Sequence, residues 1–102
     1  MAQLQFLSGP RDQERIDLNP NASLVIGRGK EAHIDVGDDE AVEPKHAVIY
    51  PAEGSFWLQD LGAGMTIVDL KRLAAGTARL DDRDVFIVGG TYLKLWQQNA
   101  SP

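Results

Sequence analysis

The chain has 102 residues, 43 % apolar and 25 % charged, enough for one domain around one core, since two would ask for roughly 100–200 residues each. Fifteen acidic residues against ten basic ones leave a net charge of −5, which repels phosphate backbones and anionic lipid surfaces and so excludes general nucleic-acid or membrane-surface binding. No cysteine is present, which removes disulfides, thiolate metal sites and thiol catalysis and is compatible with a reducing cytoplasm.

No stretch approaches the roughly 18 apolar residues of a membrane span. Met1 to Pro10 has neither a basic start nor a long apolar run, so no signal peptide is expected.

Short apolar runs predict strands at Gln3–Leu7, Arg15–Leu18, Leu24–Gly27, His33–Val36, Ala47–Pro51, Phe56–Asp60, Thr66–Asp69, Thr77–Leu80, Val85–Gly89 and Thr91–Trp96. Several alternate with period two, as in Ile34/Val36, Val48/Tyr50, Phe56/Leu58 and Tyr92/Lys94/Trp96. Turn chemistry separates them at Gly9-Pro10, Asn19-Pro20-Asn21, Glu53-Gly54-Ser55, Gly62-Ala63-Gly64 and Gly89-Gly90. Strand and turn together recur every 8–12 residues or so, the spacing of an all-β sandwich or barrel. Helix is hard to place. Asp38–Pro44 is cut short by Pro44 and reads as a loop; Leu70–Ala75 has helix formers but lies between strand-like runs. Residues 1–97 form the single domain, and residues 98–102 read as a flexible tail.

Four clusters carry possible chemistry. Gly27-Arg28-Gly29-Lys30-Glu31-Ala32 follows a strand and formally fits a dinucleotide fingerprint, but His33-Ile34-Asp35-Val36 behind it alternates like a strand and offers no helix for a pyrophosphate. What remains is either a tight turn with a solvated arginine, one that pairs with a loop carboxylate such as Asp35 or Glu43, or an anion site. In the last, Arg28 offers a fork of donors and the glycines admit backbone amides. In Glu43-Pro44-Lys45-His46, His46 precedes an apolar strand and reads as a ring bridging two loops rather than as a catalyst, and Lys45 as a surface charge. In Asp60-Leu61-Gly62-Ala63-Gly64-Met65-Thr66, Asp60 is placed to cap a glycine turn. Leu80-Asp81-Asp82-Arg83-Asp84 reads as a hairpin turn opening an apolar strand.

The acidic stretch Asp35–Glu43, with His33 nearby, lacks the spacing of a calcium loop and reads as a solvated acidic loop. No metal or other cofactor is expected. Nor do the two histidines and scattered serines form a nucleophile–base set.

In this order and spacing the clusters resemble the forkhead-associated (FHA) domain. The family pattern runs strand–Gly-Arg, a serine-basic-x-His loop, a D-L-G-S-T-N-G-T turn, then L-x-D-G-D before an apolar strand and glycine. The chain shows Ile26-Gly27-Arg28, Pro44-Lys45-His46, Asp60-Leu61-Gly62 with Thr66-Ile67-Val68-Asp69, and Leu80-Asp81-Asp82-Arg83-Asp84 with Gly89. The resemblance spans Gln3 to Trp96. It implies a sandwich of about eleven strands in two sheets, whose loops at one end read phosphothreonine in partner proteins. By the same resemblance Arg28 contacts phosphate, Lys45 is the basic residue beside it, His46 braces the loops, and Gly27 is the turn glycine.

The departures are equally specific. The phosphate-binding serine falls on Pro44, which has no hydroxyl and no N–H. The S-T-N-G turn is shortened to Ala63-Gly64-Met65, so the asparagine that grips the peptide backbone is missing. Each lost donor to phosphate costs about 1.5–3 kcal/mol, and two weaken binding by about two to four powers of ten.

The sequence therefore predicts a non-catalytic protein-interaction module. Arg28, Lys30, Lys45, Thr66, Met65 and Pro44 are its expected partner-binding residues; Gly27, His46, Asp60 and Gly62 are their structural support. The expected partner is a protein or phosphothreonine peptide, read with weakened phosphate recognition. The alternative is a degenerate domain that binds without phosphate, as an assembly component such as those of bacterial secretion systems. Homodimerisation through an exposed sheet face is left open.

Overall fold

The computed structural model describes residues 2–37, 39–62, 65–73 and 75–97. Among them are eleven strands: β1 (Ala2–Phe6), β2 (Arg15–Leu18), β3 (Leu24–Gly27), β4 (Ile34–Asp35), β5 (Ala47–Ala52), β6 (Ser55–Asp60), β7 (Thr66–Val68), β8 (Lys71–Arg72), β9 (Thr77–Leu80), β10 (Val85–Val88) and β11 (Thr91–Gln97). They form one sheet of order β2-β1-β11-β10-β7-β8 and a second of order β4-β3-β5-β6-β9. All pairings are antiparallel except β3 with β4. The expected tail, 98–102, lies outside the described residues.

Period-two patterning decides which side chains enter the core. Leu4 and Phe6 of β1, Phe56 and Leu58 of β6, Phe86 and Val88 of β10, and Leu93 and Leu95 of β11 are all buried between the sheets, each stabilising the fold by about 1.5–3 kcal/mol. The alternate positions Tyr92, Lys94 and Trp96 point outward, where Lys94 Nζ lies 4.2 Å and the Arg15 guanidinium 4.7 Å from the Trp96 ring. In β6 the same alternation turns Asp60 inward with Phe56 and Leu58.

Leu70–Ala75, which the sequence left without an element, contains β8. Its hairpin to β7 turns at Asp69 and Leu70, both at positive φ (51° and 65°). Glycine or asparagine ordinarily marks such a turn, and a leucine in its second position conceals it. The Glu53-Gly54 turn between β5 and β6 (φ 54° and 77°) carries the usual glycine and is plain in the sequence.

Register gathers four connections at one end. Ile26 faces Ala47, Ala47 faces Asp60, and Val88 faces both Thr66 and Thr91. The β3–β4, β4–β5, β6–β7 and β10–β11 connections therefore leave the sandwich together.

Candidate functional site

Arg28 begins the β3–β4 loop. Its Nε donates to the carbonyl oxygen of Val42 at 3.0 Å, and Val42 is itself buried. The guanidinium is thereby laid across the β4–β5 loop, while among the described residues its terminal amino groups have no hydrogen bond or ion pair. The expected alternative, Arg28 paired with Asp35 or Glu43, is not what forms. Asp35 Oδ1 instead accepts the amides of Gly37 at 2.9 Å and Gly29 at 3.1 Å. Those two N–H groups hold its carboxyl below the usual aspartate range. Lys30 and Lys45 are exposed nearby in sequence, as is Pro44.

His46 is fully buried at the base of the loops. Its N–H donates to Ile26 at 3.0 Å and its carbonyl accepts from Leu61 at 3.0 Å. The ring accepts the Glu43 N–H at Nδ1, 3.1 Å, and lies 3.0 Å from the Met65 carbonyl through Nε2. A carbonyl cannot donate, so the ring is the neutral tautomer with its hydrogen on Nε2. One side chain thus ties two loops, the bracing role the resemblance implies.

Asp60 performs the parallel task one loop further. Its Oδ2 accepts the amides of Gly62 at 3.1 Å and Ala75 at 2.8 Å. Its Oδ1 accepts the Thr66 hydroxyl at 2.7 Å. An inward carboxylate is costly unless fully bonded, and this one is. Thr66, expected on the binding surface, is instead buried beneath it, with its hydroxyl spent on Asp60. Period-two counting carries the signal: Thr66 and Val68 share the inward face of β7. Met65 beside it is exposed, and residues 63–64 of the shortened turn lie outside the described residues.

The acidic loop is less solvated than its sequence suggests. Asp39 Oδ2 accepts the Gly90 amide and the Thr91 hydroxyl, each at 2.7 Å, and Oδ1 accepts the Ala41 amide at 2.9 Å. Burial opposes its ionisation, but the Thr91 hydroxyl and the amides of Ala41 and Gly90 outweigh it and hold the carboxyl below its usual range. Asp35 has a local signal, an Asp two residues before Gly37, which suits an Asx turn. Asp39 has a local partner in Ala41 two residues on, but no glycine there marks the turn and its other partners lie 51 and 52 positions away.

Counting the family spacing back from His46 gives another assignment than Pro44. The ring of His46 bonds Glu43, three residues back, and the serine-basic-x-His spacing counted from His46 lands on Glu43 as well. On that count Glu43, an exposed carboxylate, falls where the family motif has serine and Pro44 where it has the basic residue.

Chemically, these loops offer Arg28, Lys30 and Lys45 as cations, Glu43 as an opposing anion, and Met65 and Pro44 as apolar surface. Among the described residues, no group of three His, Cys, Asp or Glu could hold a metal ion, and no helix is long and apolar enough to cross a membrane.

The family model for the FHA domain matches residues 24–89. An FHA domain-containing protein of Arabidopsis thaliana is 30 % identical over 88 residues, covering 84 % of this chain and 23 % of the relative. The chain thus spans about a quarter of that relative's length. The solution structure of the FHA domain of an Arabidopsis thaliana hypothetical protein has a TM-score of 0.84 at 26 % identity, covering 99 % of this chain and 90 % of the other. The N-terminal FHA domain of a protein of S. cerevisiae, solved with a phosphothreonine peptide, has a TM-score of 0.81 at 15 % identity, covering 95 % and 93 %.

Proposed function

The chain belongs to the FHA-domain family, and from that premise we propose that it is a non-catalytic interaction module whose apical loops bind a partner protein without requiring phosphate. The observation that supports this reading is that Glu43, three residues before His46 where the family spacing calls for serine, is an exposed carboxylate. Losing a hydroxyl donor to phosphate costs about 1.5–3 kcal/mol. A carboxylate within about 5 Å of a phosphate adds repulsion of about 1–5 kcal/mol, depending on local solvent. Together they weaken phosphate binding by about two to six powers of ten. Pro44 contributes no amide donor to offset this.

Arg28 favours a second reading, phosphothreonine recognition that is weakened but retained. Its Nε is already fixed on Val42, which orients the terminal amino groups before any ligand arrives. The S. cerevisiae FHA domain was solved with such a peptide. A fork held in this way suits a phosphate or a carboxylate equally. An acidic side chain of the partner carries less charge and meets less repulsion from Glu43.

The test is an NMR titration of the labelled domain with a degenerate phosphothreonine-peptide library, beside its unphosphorylated counterpart and an Arg28→Ala variant. The proposal expects no phosphate-dependent shifts at millimolar peptide. Saturable shifts at Arg28 and Lys45 that require both the phosphate and Arg28 would overturn it and establish the second reading.

A further inference from the structure

On the outer face of the six-stranded sheet, Ile67, Val85, Ile87 and Tyr92 surround a depression of about 350 Å3, bounded on one side by Leu70. Register explains the cluster. Ile67 faces Ile87, Ile87 faces Tyr92, and Val85 faces Lys94, so apolar side chains on three adjacent strands stand together where period two leads to solvent. Val85 is 41 % exposed and Tyr92 47 %. A contiguous apolar patch of this kind marks a contact surface more often than single exposed apolar residues do.

Leu70 is the sharper anomaly. It stands at φ 65°, a conformation that branched side chains adopt at a cost, and it is 96 % exposed. It strains the turn and buries almost nothing within the chain. Strain of this sort persists where it serves a contact.

The rim identifies the occupant. Asp69, Asp84 and Arg83 line the same depression, so both signs of charge frame it. Arg83 lies 3.7 Å from Asp82 and 5.6 Å from the centre of the Trp96 ring, with its side chain 71 % exposed. A projecting apolar side chain, an apolar hollow beside it and a rim of both signs make a patch complementary to itself. A two-fold interface requires that of each subunit. A uniformly acidic or basic partner would leave one of the rim signs opposed; a second copy can set each Arg83 against a rim carboxylate of the other.

We propose that this face joins two copies of the chain, each Leu70 seating in the other's hollow and each Arg83 meeting the other's Asp69. Val85 lies at the end of β10 away from Gly89 and the apical loops, so pairing leaves both sets of loops open. The dimer then presents two partner sites, and a partner with two matching segments gains avidity without any new contact. The inference is independent of whether those loops read phosphate.

Sedimentation equilibrium of the whole chain tests it, from low micromolar to about 1 mM protein, because a small interface gives weak pairing. The wild type is expected to pass from monomer to dimer. Leu70→Asn is expected to stay monomeric while its thermal midpoint, taken dilute, holds or rises, since asparagine tolerates positive φ better. Arg83→Glu and Asp69→Lys are each expected to weaken pairing by about tenfold. Mixed in equal amounts they recover it, because each reversed charge then faces the other. A wild type monomeric throughout, a dimer indifferent to Leu70→Asn, or a mixture without recovery would each overturn the proposal.

Discussion

A methyl group on Gly27 would stand 2.0 Å from the carbonyl oxygen of Pro44. The contact is backbone against backbone, so no side-chain rotation relieves it. The approach is fixed on both sides by hydrogen bonds, from His46 N–H to Ile26 at 3.0 Å and from Val36 N–H to Gly27 at 2.9 Å. Gly27→Ala therefore displaces the β4–β5 loop and carries the Val42 carbonyl away from Arg28. The expected result is a loss of about 1–3 kcal/mol, seen as a thermal midpoint lower by roughly 5–20 °C. In NMR spectra the shift changes should centre on Val42 to His46. An unchanged midpoint would mean that the loop gives way freely.

His46→Ala removes the ring that joins Glu43 to Met65 and strands the part-buried Glu43 N–H. The missing bonds and the vacated space cost about 2–4 kcal/mol, or a midpoint lower by roughly 10–25 °C. His46→Asn keeps an acceptor near the Glu43 amide and should recover part of the loss. Urea denaturation of the three proteins gives the comparison, and equal stabilities would show that the ring carries no load.

How much of this was legible depends on the range of each signal. Strand positions and inward faces follow a local period of two, which places Phe56, Leu58 and the caps of Asp60 correctly. The same count carries Thr66 into the interior, although its motif position points to the surface. Leu70 hid a hairpin because its φ of 65° is one that sequence rules reserve for glycine or asparagine. Asp39 was illegible for another reason. Its bonds to Gly90 and Thr91 exist only once the two sheets have met. Gly89, whose added methyl would stand 2.6 Å from Val42, shows the same long-range constraint.

Asp35 gives the Arg28 turn a dependence on acidity. Its folded carboxyl is held below the ordinary value of about 3.9, by the Gly37 amide first and the Gly29 amide second. An ionised Asp35 therefore stabilises the loop. That contribution is complete above about pH 4 and fades as the pH falls through the lowered folded value. Asp35→Asn keeps an oxygen but loses the charge. The variant should melt below the wild type at pH 6, with the gap closing as the pH drops toward 2. A gap that stays constant across that range would remove the carboxylate from the account.

Glu43→Ser puts a hydroxyl donor where the family spacing wants one and removes a carboxylate from the residue next to Val42, whose carbonyl holds Arg28. Both changes favour a bound phosphate. Restoring one charge-assisted hydrogen bond is worth about 1.5–3 kcal/mol, and the removed repulsion adds to it, so phosphothreonine-peptide affinity should rise by at least about ten- to a hundredfold. Adding Pro44→Arg returns a backbone N–H and a cation at the next position, and should raise it further. Pro44→Ser alone leaves the Glu43 charge in place and should gain far less. Arg28→Ala in the Glu43→Ser background should cancel the gain, because the hydroxyl then has no guanidinium to share the phosphate with. Calorimetric titration of these variants with a single phosphopeptide distinguishes the assignments. A gain confined to Pro44→Ser would return the serine position to Pro44, and no gain in any variant would show that the β4–β5 loop has moved out of reach of a ligand held by Arg28.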